Sequence, residues 1–398
     1  MIQVAIMGFG TVGSGVAEVL DKNRETIARG AGQELRLKYI LDTREFPGSP
    51  YESLVVHEFE TIEQDPQVRL VAECIGGVGV AYEFVKRCLK AGKHVVTSNK
   101  EMVAKKGQEL LKLAEEHQVN FLFEASVGGG IPILRPLMTC FAANQIQEIC
   151  GILNGTTNYI LTRMIGEGAA FDDVLHDAQA MGYAERDPSA DVEGHDACRK
   201  LCILSDLAFG RTVDPEQVPT RGITGISPEA VSFASKAKMR IKLLARVLRL
   251  EDGRIAAYVS PHFVPAKRQL AMVDGVYNAI MVRGNAVGET MFYGQGAGKL
   301  PTASAVAADL VDAANRLSTP RKLRWSDSQP DYVVDYRTLK LRWFVRAEDE
   351  EDAILSVLPD AQLYGTVEGT RGFRTPPMTL QALEQLGLHR IEQFPILD

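Results

Sequence analysis

The sequence predicts an α/β protein in three parts. An N-terminal doubly wound parallel sheet comes first, then an α+β domain with a mostly antiparallel sheet, then a small α+β unit at the C-terminus. Three observations predict this. Over the first 130 residues apolar runs alternate with amphipathic helical stretches, the pattern of strands covered on both faces by crossover helices. From residue 237 the pattern turns to alternating strands joined by glycine turns, as in hairpins. Beyond residue 335 the order reads β-α-β-β-α-β, a ferredoxin-like arrangement.

A chain of 398 residues, 45% hydrophobic and 24% charged, has room for two or three domains with their own cores. Its net charge of −7 excludes the basic footprint of a nucleic-acid binder. No apolar run is long enough for a membrane helix. The N-terminus reads as beginning a strand at once, so no signal peptide is expected. The six cysteines form no C-x-x-C pair and the seven histidines are scattered. Reduced thiols in a cytoplasmic protein, with no zinc cluster, are therefore expected.

"MIQVAIMGFGTVGSGVAEVL" reads as strand, tight turn and helix. Gly8, Gly10 and Gly13 make the G-x-G-x-x-G spacing, with Phe9, Thr11 and Val12 between them. The first glycine permits the turn, the second admits a pyrophosphate, and the third lets helix pack on strand. The free N–H groups of the helix start then face the phosphates. The second strand ends in "LDTRE", where Asp42 suits the ribose hydroxyls of NAD and Arg44 the 2′-phosphate of NADP. Arg44 favours NADP; its other reading is a solvated loop charge. Gly76, Gly77, Thr97, Ser98 and Asn99 fall at later strand ends, where an open sheet binds its ligand. Lys100 begins the next helix, an unfavourable place for a cation unless a ligand meets it; a first-turn surface lysine is the alternative. The loop "EASVGGGIPILRP", with glycines at 128 to 130, is open to two readings: a wrap for a monovalent cation or cofactor, or a hinge.

These boundaries place a dinucleotide-binding domain at 1–133, with a helix at 302–317 packing back on it and Gly298 near the cofactor. A substrate and dimerisation domain spans 134–301. There "NGTTN" (154–158) offers Asn154, Thr156 and Thr157 either to a polar substrate or as a helix cap. The strip "GYAERDPSADVEGHDACRK" holds Glu185, Asp187, Asp191, Glu193 and Asp196, then Arg199 and Lys200. Asp191 is expected to cap a helix running from about Val192 to Phe209, its buried stripe formed by Leu201, Leu204 and Ala208. Asp196 and Lys200, four apart, share one face at the border of that stripe. A surface ion pair is the plain reading. The chemical one is that Lys200 protonates the oxygen left by hydride transfer to a carbonyl, with the acids recognising a substrate ammonium. "STPRKLRWSDSQPDYV" reads as a linker, and 335–398 as a third, docked domain.

Together "GFGTVG", "TSNK", "NGTTN", the strip at 182–200 and "GAGKLPTASAV" resemble the homoserine dehydrogenase family, over about residues 1 to 318. The resemblance implies NAD(P)-dependent interconversion of L-homoserine and L-aspartate 4-semialdehyde, on the route to threonine and methionine. It makes Lys200 the proton donor and Lys100 a second active-site lysine. Glu185 and Asp196 would hold the substrate and Asp191 would line the site. Gly182 and Gly298 would contact or border the cofactor. Glu124, Val127, Gly129 and Ile131 would bind sodium, mostly through carbonyls, and the protein would be a homodimer or homotetramer. The tail is similar to the ACT regulatory fold, but "RAEDEED" stands where that fold has a glycine-rich effector turn; threonine control and a structural tail both stay open. Two rivals remain: an acyl-transfer enzyme like aspartate-semialdehyde dehydrogenase, which needs a nucleophilic cysteine, and a non-catalytic cofactor-binding regulator, which needs no Lys200.

Overall fold

The computed structural model describes residues 1–398 as two compact units. The first comprises Met1–Asn144, Cys202–Asp214 and Gly294–Ser328; the second comprises Gln145–Leu201, Pro215–Tyr293 and Gln329–Asp398.

In the first unit six strands form one sheet: β1 (Ile2–Met7), β2 (Leu35–Leu41), β3 (Val55–Val56), β4 (Val68–Glu73), β5 (His94–Thr97) and β6 (Phe121–Leu122). Their order is β3-β2-β1-β4-β5-β6, and all neighbours run parallel. The order reverses between β1 and β4, so the ligand crevice of this doubly wound sheet lies outside the carboxyl ends of those two strands. Val4, Ile6, Leu70, Ala72 and Val96 are fully enclosed, as strands covered on both faces must be. Ala303, Val306, Leu310 and Ala313 of the helix Lys299–Ala314 share a core with Val16, Ala17 and Leu20 of the helix Thr11–Lys22. That approach needs Gly15, where a Cβ would stand 2.8 Å from the Lys299 carbonyl.

The segment read as a linker is not a free one. Trp325 is buried, edge-on to Phe123, and fills the space beside Gly107, where a Cβ would meet its ring at 2.8 Å. One aromatic anchor within a polar stretch straps it to the unit.

The second unit holds a five-stranded sheet of β7 (Ile146–Ile152), β8 (Met239–Arg249), β9 (Ile255–Pro265), β10 (Tyr277–Gly284) and β11 (Gly288–Gln295), in the order β11-β10-β7-β8-β9. Its β7–β8, β8–β9 and β7–β10 pairs are antiparallel. A four-stranded sheet, β13-β14-β12-β15, comprises β12 (Trp343–Ala347), β13 (Gln362–Val367), β14 (Thr370–Arg374) and β15 (Arg390–Pro395). With helices after β12 and β14, it completes the β-α-β-β-α-β order. A unit this small buries little alone, and it shares its core with the larger sheet. Tyr258 of β9 stacks on Tyr336 at 3.9 Å, and Phe263 on Phe344 at 4.0 Å between ring centres.

The helix expected from Val192 to Phe209 is two helices, Ser189–Val192 and His195–Phe209. Gly194 between them has φ of +84°, a left-handed conformation that interrupts the helix and suits glycine. Asp191 lies inside the short helix and is not the cap of the long one. The long helix also carries no simple stripe: Leu201, Cys202, Ile203 and Leu204 are all buried. Lys200 is therefore enclosed, and not at the edge of an apolar face.

Candidate active site

The turn after β1 is built for a dinucleotide. Gly8 has φ of +91°, and a Cβ there would press on the Cys74 carbonyl at 2.8 Å. A Cβ on Gly13 would fall 1.9 Å from the Gly8 oxygen, whereas one on Gly10 would meet nothing within 4 Å. Two glycines thus close the turn on itself while the middle one leaves open space. Gly10 caps the helix Thr11–Lys22 and no side chain satisfies its first N–H groups, which leaves them for an anion.

A pocket of about 370 Å³ adjoins this turn, lined by Gly8, Gly10, Asp42, Arg44, His57, Cys74, Ile75 and Phe84 among others. Asp42 accepts from the Phe9 N–H at 2.7 Å and grips the Arg44 guanidinium at 2.9 and 3.0 Å. That guanidinium, and the Phe9 N–H after it, hold the Asp42 carboxyl down to about 2 against the pull of burial. Arg44 also lies over the Phe46 ring at 5.1 Å. The two residues that the sequence offers as alternatives for coenzyme choice are thus one ion pair on the pocket wall.

At the ends of β4 and β5, Gly76 and Gly77 take left-handed conformations with open space beside them. The Thr97 hydroxyl is turned inward onto Glu73 at 2.5 Å, so it does not face a ligand. Ser98 is half-buried. Lys100 is half-buried at the first position of the helix Lys100–Glu116, whose cap is the Asn99 side chain, accepting from the Met102 N–H at 3.1 Å.

In the second unit the buried Asp196 and Lys200 and the half-buried Asp191 gather around Asn154. The Lys200 ammonium donates to the Leu153 carbonyl and to Asp196 Oδ2, each at 2.7 Å. Asn154 Nδ2 donates to Asp191 Oδ1 at 2.7 Å and Asp196 Oδ2 at 2.9 Å. Asn154 Oδ1 accepts from the Thr157 N–H at 2.9 Å, so Asn154, and not a threonine, caps the helix Gly155–Glu167. Lys200 is 8% exposed and Asp196 3%, far from the solvated i,i+4 pair worth about 0.2–0.5 kcal/mol. Removing one partner of an enclosed pair costs about 3–5 kcal/mol. Glu185 does not join this cluster; it is exposed on the loop after Gly182, which has φ of +74°. The Thr156 hydroxyl ties that loop to the Asn154 helix through the Tyr183 carbonyl at 2.6 Å.

The loop of Glu124, Val127, Gly129 and Ile131 is buried. The Glu124 carboxylate is fully engaged elsewhere: it accepts from the N–H groups of Ile133, Leu134 and Arg135 at 2.7–2.8 Å, the start of the helix Leu134–Thr139. Gly298 has φ of +122° and precedes the helix Lys299–Ala314.

Sequence reasoning missed Glu73, fully buried at the end of β4; the signal was an acid closing the apolar run "RLVAE". It also undervalued Asn154, whose bridging role depends on residues about forty positions away. Acyl-transfer chemistry finds no support among the cysteines described by burial: Cys88 and Cys150 are pushed up to about 12, and Cys74 is driven higher still.

Reduction of a carbonyl needs a seat for the hydride donor and a fixed source of a proton. A chain carrying this glycine turn and this enclosed lysine falls in the class of nicotinamide-dependent dehydrogenases. Two family models match it, described as "Homoserine dehydrogenase, NAD binding domain" over residues 8–124 and "Homoserine dehydrogenase" over residues 132–311. The homoserine dehydrogenase of Neisseria gonorrhoeae is 44% identical over 316 residues, 79% of this chain and 72% of that one. That of Pseudomonas aeruginosa is 41% identical over 343 residues, 85% and 79%. The chain belongs to the homoserine dehydrogenase family. Among solved structures, a homoserine dehydrogenase from Thiobacillus denitrificans superposes with a TM-score of 0.89 at 35% identity, covering 100% of this chain and 98% of that one. A hyperthermophilic archaeal homoserine dehydrogenase in complex with NADPH matches at 0.67 and 29%, covering 78% and 97%. No helix is long and apolar enough to cross a membrane.

Proposed function

We propose that the protein interconverts L-homoserine and L-aspartate 4-semialdehyde with a nicotinamide coenzyme, and that Lys200 carries the proton. The observation that supports this best is the fixed direction of the Lys200 ammonium, bound to Leu153 O and Asp196 Oδ2 within an enclosed cluster. These two bonds hold the ammonium in place. When bound, the coenzyme supplies or accepts the hydride at the substrate carbon. Lys200 protonates the nascent alkoxide in one direction and removes the hydroxyl proton in the other. Asp196 holds the amine, and Asn154 holds Asp196 beside Asp191. Asp191 and Asp196 recognise the substrate ammonium, with Glu185 brought in from its exposed loop. Lys100 serves as a second active-site cation.

NADP is the preferred coenzyme in this reading, because Arg44 lines the pocket beside the glycine turn, where an arginine suits a 2′-phosphate; it must share its charge between Asp42 and that phosphate. Gly8, Phe9, Gly10, Thr11, Val12 and Gly13 cradle the pyrophosphate; Gly76, Ser98, Gly182 and Gly298 border the coenzyme. Thr97 acts through Glu73. A sodium ion fits the carbonyls of Glu124, Val127, Gly129 and Ile131, since oxygen ligands suit a hard cation. The protein acts in the cytoplasm as a homodimer or homotetramer, for which the exposed Met291 and Tyr293 on the edge strand β11 are the available surface. The C-terminal sheet is an ACT-like unit.

The test is spectrophotometric. Purified protein mixed with NADPH and aspartate semialdehyde should consume the nicotinamide absorbance without added phosphate, and homoserine with NADP should restore it. Consumption that requires phosphate and an acyl phosphate points to acyl transfer, and no reaction with either coenzyme overturns the reading.

A further inference from the structure

We propose that Glu73 is a positioning residue for the coenzyme, joining the turn at 75–77 to the start of the Lys100 helix through one closed hydrogen-bonded ring. The proposal rests on the reading of this crevice as a dinucleotide site.

Glu73 is the last residue of β4, beside the point where the sheet order reverses, and none of it reaches solvent. Oε1 accepts from the Ile75 N–H at 2.7 Å and the Gly76 N–H at 3.2 Å. Oε2 accepts from the Thr97 hydroxyl at 2.5 Å. Thr97 Oγ1 accepts in turn from the Asn99 N–H at 2.9 Å, and Asn99 Nδ2 donates to the Gly77 carbonyl at 2.6 Å. The ring runs from the turn, through the acid, across to β5, into the helix cap and back to the turn.

The geometry has two consequences. The turn N–H groups that could face an anion point inward at Glu73, so the phosphates belong to the Gly8–Gly13 turn and this second turn acts as a wall. That wall includes Ile75, which lines the pocket and is 40% exposed, as a side chain awaiting a flat ligand would be. The same ring holds Asn99, and Asn99 caps the helix that Lys100 begins. A buried acid with no cation beside it is a costly way to tie two loops. Burial accordingly raises the Glu73 carboxyl, although its hydrogen bonds oppose the shift.

The test uses the full chain and reads coenzyme binding apart from turnover. NADPH and NADH dissociation constants are measured by fluorescence, with kcat, both KM values and the melting temperature, on Glu73→Gln, Thr97→Val and Thr97→Ser. Gln can keep the caps on Ile75 and Gly76 while losing the acceptor for Thr97. The expected result is coenzyme binding weakened about tenfold in Glu73→Gln and several-fold in Thr97→Val, with the semialdehyde KM within twofold. Thr97→Ser should restore the wild-type value, and Glu73→Gln with Thr97→Val should be no worse than Glu73→Gln alone, because groups in one ring do not add. Coenzyme binding within twofold of wild type in both Glu73→Gln and Thr97→Val overturns the proposal. So does a loss of every parameter in step with melting temperature, which marks a purely structural role. Thr97→Val keeps the question open to measurement should Glu73→Gln fail to fold. If the wild-type chain binds neither coenzyme, it is the dinucleotide reading that fails.

Discussion

The glycine turn after β1 and the lysine cluster around Asn154 solve opposite problems. The turn serves an anion with backbone alone: Gly8, Gly10 and Gly13 remove side chains, and the uncapped helix start supplies N–H groups. It has no need of a charge. The cluster serves a proton with side chains that are charged and almost wholly enclosed, so each must be held by another: Lys200 by Leu153 O and Asp196, Asp196 by Asn154. A site made by subtraction is local in the chain. A site made of buried charge must recruit partners from wherever the fold can bring them, because an unpaired charge in the interior costs several kcal/mol.

The difference is open to four tests. Lys200→Ala should have the largest effect, lowering kcat by about 10²–10⁴-fold while NADPH affinity stays within twofold; near-normal turnover would falsify its assigned role. Acid tests the neutral side of the comparison. His94 Nδ1 accepts from the Asn120 backbone and side chain, and burial lowers the group to about 4. Below about 6.5 the unfolded chain takes up a proton that the folded His94 refuses. Stability should therefore fall as pH drops from about 6.5 to about 4, by roughly 3 kcal/mol at most. His94→Gln should flatten that part of a denaturant-midpoint profile; an unchanged slope would assign the acid sensitivity to other groups.

Gly13→Ala probes the turn. The new methyl group meets the Gly8 carbonyl, so coenzyme should bind at least about tenfold more weakly and stability should drop by about 1–3 kcal/mol. Unaltered NADPH titrations in that variant would show that the turn can relax. Asn154→Ala should have the smallest effect on folding, about 1 kcal/mol for a lost helix cap, read from urea melts. Because Asn154 also bridges Asp191 and Asp196, its kcat should fall further than the stability loss explains; a pure stability change would reduce it to a cap.

The pattern of legibility follows the same division. Five of the six parallel strands, all but the two-residue β3, together with the hairpin β8–β9 and the C-terminal order, were readable because each rests on apolar period and glycine position, which are properties of contiguous residues. The Gly8–Gly13 turn was readable for the same reason. Misreadings fell where a distant neighbour decided the outcome. Gly194 split a helix whose composition looked continuous. Trp325 anchored a stretch whose polarity suggested a linker. The Thr97 hydroxyl proved to be held by a buried acid, and not turned toward a ligand.

From its own order of residues the chain determined where strands and helices lie, that its first turn suits a dinucleotide, and that an acid and an amine stand one helical turn apart. Only the tertiary structure decided that this pair is enclosed, that Asn154 joins it to Asp191, and that Glu73 closes a ring with Thr97 and Asn99. The physical reason is one of range. Backbone conformation and amphipathic period are set by near neighbours, whereas burial, and with it the worth of a charge or a hydrogen bond, is set by whatever chain segment packs above it.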